Sequence, residues 1–367
     1  MRFERPRRRR RWWRWIAGSF ALSLATILLI GFVASRRQPP PPVVLPTLPV
    51  PTADPGQAPI AFTYFYYWYD LPSGPHSGAL TDRPADPDAS YRNVSWFTRQ
   101  LADMSDAGID VALAVYWGGA EPSSDTGLVN MATAASELRR QDANPPRIAM
   151  FFDTGLIGRW PKGQRDFTDP ENQRRFYSLV HTFYSLLPRD QWAMVDDRPV
   201  LWMWASWFDI SFDQSFFDYV YGRFENDFGA RPYIVAEVSW RFETKVGRGG
   251  VDPTRPIHVD NFYSWGAALD GYRDAGTGVA SVGPGYDERK LDGPGRTGRH
   301  ADREGGRFYE RNFAAALDSG RRLLVLETWN EFHEASDIAN SVEYGRTYIE
   351  LTKRLIAQFK AKYVASR

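Results

Sequence analysis

The sequence contains no cysteine. That excludes disulfide staples, thiolate metal sites, a cysteine nucleophile and a lipid carried on an N-terminal Cys. Histidine is scarce, five in 367 residues, and the five are scattered. No His-Glu-x-x-His spacing and no aspartate-rich calcium loop is present, so metal dependence is not indicated and no cofactor is expected. A serine nucleophile lacks its Gly-x-Ser-x-Gly elbow. No glycine-rich phosphate loop follows the first strand-like run, which argues against a nucleotide-binding sheet. Net charge is also nearly absent, at +1, but this balance hides an asymmetry. Residues 1–37 hold ten of the 45 basic residues and one of the 44 acidic ones, leaving the rest at −8. A mildly acidic domain does not suit nucleic acid as a partner.

What is present begins with an arginine-rich tail over 1–15. An uncharged apolar run follows over 16–35, long enough to cross a bilayer as a helix. Arginines and Trp12, Trp13 and Trp15 crowd its N-terminal flank, so the positive-inside rule puts that end in the cytoplasm and the remainder outside. An uncleaved single-pass membrane anchor is the preferred reading. A cleaved signal sequence, giving a secreted protein, is the alternative. Residues 36–59 are rich in proline and read as an extended spacer.

From residue 60 to 367, β-rich apolar runs alternate with helical patterns. Strands are predicted over 61–69, 110–117, 147–153, 199–204, 232–238, 258–263, 278–282 and 322–328. Helices are predicted over 95–107, 128–141, 170–187, 213–228, 309–319 and 341–363. The strand runs are nearly continuous in apolar and aromatic residues, the pattern of strands buried on both faces. Eight such units predict a single (β/α)₈ TIM barrel, with a doubly wound open sheet as the alternative.

The ends of the predicted strands repeatedly pair an aromatic with a polar group. Tyr66, Trp68 and Tyr69 close the first, Trp117 the second, Asp153 the third, Glu237 the fifth and Tyr286-Asp287 the seventh. Asp260 stands at the sixth, and His76 lies in the first loop. Strand C-terminal ends carry the active site of such barrels. Aromatic faces beside hydrogen-bonding groups match the two surfaces of a sugar, so an oligo- or polysaccharide partner is expected. After the last strand comes Trp329-Asn330-Glu331-Phe332-His333-Glu334. Glycosidic cleavage generally needs two carboxyl groups. If a helical turn begins here, Glu331 and Glu334 share a face, couple, and one becomes a general acid. Asn330 and His333 stand ready to hydrogen-bond them. A bare Glu-x-x-Glu is also what a solvated acidic loop shows; Trp329, Asn330 and His333 tilt the reading toward chemistry.

This segment, continued by Ala335-Ser336-Asp337-Ile338-Ala339, resembles the W-N-E-W-H-E-G signature of glycoside hydrolase family ninety-nine and its relatives. Phe65-Tyr66-Tyr67-Trp68-Tyr69 resembles that family's Y-Y-P-W-Y, and Pro284-Gly285-Tyr286-Asp287 its seventh-strand loop. The likeness covers roughly residues 60–360 and fits an uncharacterised branch of the superfamily. The resemblance implies a (β/α)₈ barrel of the endo-α-mannosidase kind. It also implies a retaining mechanism in which Glu331 deprotonates the sugar 2-hydroxyl and Glu334 is the acid/base. Phe332, Ala335 and Tyr67 replace the family's Trp, Gly and Pro, so mannose specificity does not carry over. A monomeric, endo-acting hydrolase of an extracellular or envelope glycan is expected. A non-catalytic glycan-binding surface protein and an envelope transglycosylase are the rival readings.

Overall fold

The computed structural model describes residues 58–73, 80–119, 121–207, 209–244, 250–291 and 297–364. The basic tail, the apolar span and nearly all of the proline-rich spacer fall outside the described residues, as does His76. Among the described residues no helix is long and apolar enough to cross a membrane.

Eight parallel strands form the core sheet: β1 (Ile60–Phe65), β2 (Val111–Tyr116), β3 (Arg147–Phe152), β4 (Arg198–Met203), β5 (Tyr233–Glu237), β6 (Asn261–Tyr263), β7 (Val279–Val282) and β8 (Leu323–Leu326). Their order is β7-β8-β1-β2-β3-β4-β5-β6. The two terminal strands of this path, β6 and β7, meet without a backbone ladder. A side chain spans the seam instead: Asn261 Oδ1 accepts the N–H of Gly278 at 2.9 Å. A side chain at position 278 would collide with that amide and displace it, so glycine keeps this seam contact in place. The barrel is therefore nearly closed.

All six residues of β2 and all five of β5 are buried. Strands covered on both faces have no solvent side to mark with polar residues. The interior is filled with rings: Phe62 lies 5.1 Å from Trp202, Tyr64 4.7 Å from Phe151 and Trp202 5.0 Å from Tyr263. Truncating a fully buried Trp such as Trp202 would cost about 3–5 kcal/mol.

Six main helices pack outside: α1 (Val94–Asp106), α2 (Pro122–Arg140), α3 (Pro170–Leu186), α4 (Gln214–Phe228), α5 (Arg307–Asp318) and α6 (Thr347–Val364). Their starts follow local chemistry. Asn93, Asp169 and Asp213 cap α1, α3 and α4 by accepting an N–H from the first turn. α2 begins six residues earlier than its apolar pattern indicates, because Pro122 fits the first turn, where its missing N–H has no intrahelical acceptor to lose. α6 begins later than expected, since Ser341 and Gly345 pair with each other across a turn. Among the described residues no long helix follows β5 or β6. A hairpin of Phe242–Thr244 with Val251–Pro256 takes the first place, and the four-residue helix Ala267–Asp270 takes the second. All eight strands point the same way, so the residues just beyond Phe65, Tyr116, Phe152, Met203, Glu237, Tyr263, Val282 and Leu326 share one rim.

Candidate active site

The segment after β8 crosses that rim as a tight loop closed on itself. Thr328 N donates to Ser336 O at 2.9 Å, and Ile338 N and Ala339 N both donate to Trp329 O at 2.8 Å. The expected helical turn is absent. Residues 332–335 form a turn instead, with Ala335 at φ 44°. The loop still brings Glu331 and Glu334 to the same mouth, Glu331 buried and Glu334 half-buried.

Glu331 is tightly held. Its backbone N–H donates to Thr328 Oγ1 at 2.9 Å. Its Oε1 accepts the His333 backbone N–H at 3.1 Å and faces His333 Nδ1 at 2.8 Å. The imidazole is stacked on Tyr69, 5.5 Å away and 14° from parallel. His333 thus contacts one carboxylate oxygen through both its backbone N–H and its ring. Glu334 is fixed through its backbone, whose carbonyl accepts Asp287 N–H at 2.7 Å.

Three carboxylates lie within electrostatic reach of one phenol. Burial first, and then the charges of Glu331, Asp153 and Glu334 in turn, push the Tyr66 hydroxyl well above its ordinary range. Asp153 follows β3 and accepts Gly155 N–H at 2.8 Å. Burial raises its carboxyl to about 6, with Glu331 adding to the rise and the Gly155 N–H, Trp117 and Arg159 opposing it. Trp68 lies 4.7 Å from Tyr66 and 5.0 Å from Trp117, and the Arg159 guanidinium sits over Trp117 at 4.6 Å. The Arg299 guanidinium lies within the field of Glu334 but is bonded to Glu288.

Several residues expected to touch substrate lie behind the site. Trp329 is fully buried, its indole N–H spent on Gln100 at 2.8 Å. Asn330 is fully buried and bridges the Tyr66 backbone, accepting from its N–H at 2.8 Å and donating to its carbonyl at 2.7 Å. Tyr69 is likewise covered, with its hydroxyl on Asn330 O at 2.9 Å. These three shape the loop and offer no face to a ligand. Tyr286 donates to Glu288 at 2.8 Å, and Asp287 is paired with Arg289 at 2.7 Å, which holds its carboxyl below the usual range. Glu237 accepts Ser239 N–H at 2.7 Å and, being buried, is raised from its ordinary value. Asp260 precedes β6 and therefore sits at the opposite end of the barrel, accepting from Tyr221 at 2.6 Å and pairing with Arg198.

Two further groups carry no sequence signature. Glu327, at the end of β8, accepts the N–H groups of Gly266 at 3.0 Å and Ala268 at 3.2 Å. Burial raises its carboxyl to about 8, against the opposing effect of those N–H groups. Arg303 passes beneath the loop and donates to Asp337 O at 2.8 Å, Ala335 O at 3.1 Å, Asp337 Oδ1 at 2.9 Å and Asp82 Oδ2 at 3.2 Å. Tyr344 and Tyr348 each lie 4.4 Å from its guanidinium carbon.

The sequence family described as "Domain of unknown function (DUF5010)" matches residues 62–364. No curated protein sequence matches this chain. Among solved structures, a GH99 endo-alpha-mannosidase from Bacteroides thetaiotaomicron, in complex with BIS-TRIS-propane, superposes with a TM-score of 0.62 at 16% identity, over 83% of this chain and 98% of that one. A second structure of a GH99 endo-alpha-mannosidase from that organism gives 0.58 at 16% identity, over 82% and 97%. A glycoside hydrolase-like protein gives 0.59 at 14% identity, over 85% and 97%. The chain therefore belongs to the family described as Domain of unknown function (DUF5010), and its barrel has the fold of the GH99 endo-alpha-mannosidases.

Proposed function

We propose that this chain is a retaining glycoside hydrolase acting on an extracellular or envelope glycan. The observation that carries the reading is the closed loop after β8, which sets Glu331 and Glu334 at the C-terminal mouth of the barrel, within electrostatic reach of Tyr66 as Asp153 also is. The barrel shared with GH99 endo-alpha-mannosidases supports it.

In this reading Glu331 is the base. The His333 backbone N–H, donating to Oε1, holds that carboxylate in place. Glu331 removes the proton of the sugar 2-hydroxyl, and that oxygen attacks its own anomeric carbon. The bond to the leaving oxygen breaks as Glu334 gives it a proton. The 1,2-anhydro sugar so formed is opened by a water that Glu334 deprotonates, and Glu331 returns its proton to the 2-oxygen. Both carboxyl groups end as they began, and two inversions at one carbon give retention. Trp68 and Trp117 supply stacking surface beside the pair. The apolar run over 16–35 would hold the enzyme in the membrane with the barrel outside, and no further subunit enters the mechanism.

Kinetics on 2-deoxy substrates test the nucleophile. They are expected to bind and not to turn over; normal turnover of a 2-deoxy glycoside would exclude the scheme. Transfer to a sugar acceptor in place of water would mark a transglycosylase with the same residues. Glycan binding with no product from any linkage would mark a binding protein.

A further inference from the structure

A second aromatic wall rises on the β4–β6 side of the mouth and runs outward to a half-exposed indole. It starts inside the barrel, where Phe151 stacks on Trp265 at 6.2 Å and 12°. Trp265, just beyond β6, meets Trp204 edge-on at 5.8 Å, and Trp204, just beyond β4, meets Trp207 at 4.9 Å. Exposure climbs along this series, from 1% at Phe151 through partial burial at Trp265 and Trp204 to 50% at Trp207. In the strand order β4 stands four places from β8, so this wall faces the Glu331–Glu334 loop across the barrel. Tyr66 joins it to the Trp68 side through an edge contact with Phe151 at 6.3 Å.

The residues just before Trp207 are hydrogen-bonded to the segment after β5. Ser206 N–H donates to Ser239 Oγ at 2.7 Å, and Ser206 Oγ donates to Ser239 O at 2.8 Å. Trp240 Nε1 donates to Trp204 O at 2.5 Å. A large indole packed edge-on against Trp204 while half its surface meets water gives up burial that the core would reward, and presents a broad apolar face to a ligand.

We propose that Trp207, backed by Trp204, is a distal sugar platform that stacks on a pyranose ring beyond the one held over Glu331 and Glu334. The ligand it takes is a glycan chain that crosses the mouth from the Trp68 side toward β4. This inference rests on the glycosidase reading of the site and adds the requirement that the substrate extend past the cleaved unit.

The test measures binding to the full chain carrying Glu334→Gln, by titration calorimetry. The ligands are gluco-, manno- and N-acetylglucosamine oligosaccharides graded in length from the disaccharide upward. Affinity is expected to rise about tenfold at the length that reaches Trp207. Adding Trp207→Ala should remove that rise, adding Trp207→Phe should restore part of it, and the remote exposed change Val129→Ala should leave it in place. A melting curve like the parent's would show that Trp207→Ala is folded. A length profile with no step, or a step that survives Trp207→Ala, overturns the proposal while hydrolysis by the wild-type chain keeps the function reading. No binding by the parent and no hydrolysis by the wild type would overturn both.

Discussion

Ala335 takes a backbone conformation, φ 44°, that L side chains rarely adopt. The family signature that this loop resembles has glycine there, which reaches that region without steric cost. Ala335→Val is expected to lower stability by about 1–3 kcal/mol, read as a drop in melting temperature, whereas Ala335→Gly should not lower it. Equal melting for the Val and wild-type chains would show that the turn relaxes freely. The carboxylates beside it divide their labour. Glu331→Gln should lower kcat/KM about 10³-fold on every substrate, because nothing then accepts the 2-hydroxyl proton. Glu334→Gln should hurt most on poor leaving groups and least on activated aryl glycosides, which depart unprotonated; equal losses on both would remove Glu334 as the acid. The surrounding motif is what singles this pair out in the sequence. The roles of Trp329 and Asn330 were not legible there, since a motif residue that touches substrate and one that braces the loop look alike until burial separates them.

The loop over 327–339 is an element held by buried polar groups from distant parts of the chain. Arg303 donates to two of its carbonyls and to Asp337 and Asp82. Burial raises Asp337 well above its ordinary value despite Arg303, and Asp82 is raised as well. Asp337 Oδ2 is buried with no donor aimed at it among the described residues. Arg303→Met should therefore cost about 3–5 kcal/mol, because carboxyl groups and carbonyls lose a buried partner together. Asp337→Asn, which keeps a neutral donor, should cost much less. Chemical denaturation of the two variants decides this, and similar losses would show that the Arg303 charge is not what holds the loop. Glu327 makes a second test. Its folded carboxyl titrates near 8, above its unfolded value near 4.3, so the protonated form is favoured by folding. Its stabilising effect is complete below the unfolded value and fades as pH rises toward 8, by up to about 1.4 kcal/mol per pH unit. Melting of the wild type should fall across that window more steeply than melting of Glu327→Gln, and parallel curves would count against it. Neither group could be found by pattern. Arg303 and Asp82 are 221 positions apart, and an isolated charge in sequence says nothing of what it meets.

For the whole molecule, the barrel was legible because each doubly buried strand is a near-continuous apolar run, and each of the eight expected runs contains a strand. Lengths were less legible where the helical layer is reduced after β5 and β6, since glycine-rich and charged stretches carry no period. Exposure past the strand ends was not legible: Trp207 and the fully buried Trp202 sit in one aromatic run, and only the fold distinguishes them. The exported topology proposed for the chain predicts that protease added to intact cells releases a soluble barrel by cutting in the proline-rich spacer, and full protection would reverse that placement. The central claim is chemical, and one measurement addresses it most directly: the anomeric form of the first product, followed by proton NMR before mutarotation. Two successive inversions at one carbon predict a product with the anomeric configuration of the substrate; a first-formed product of opposite configuration would contradict the account.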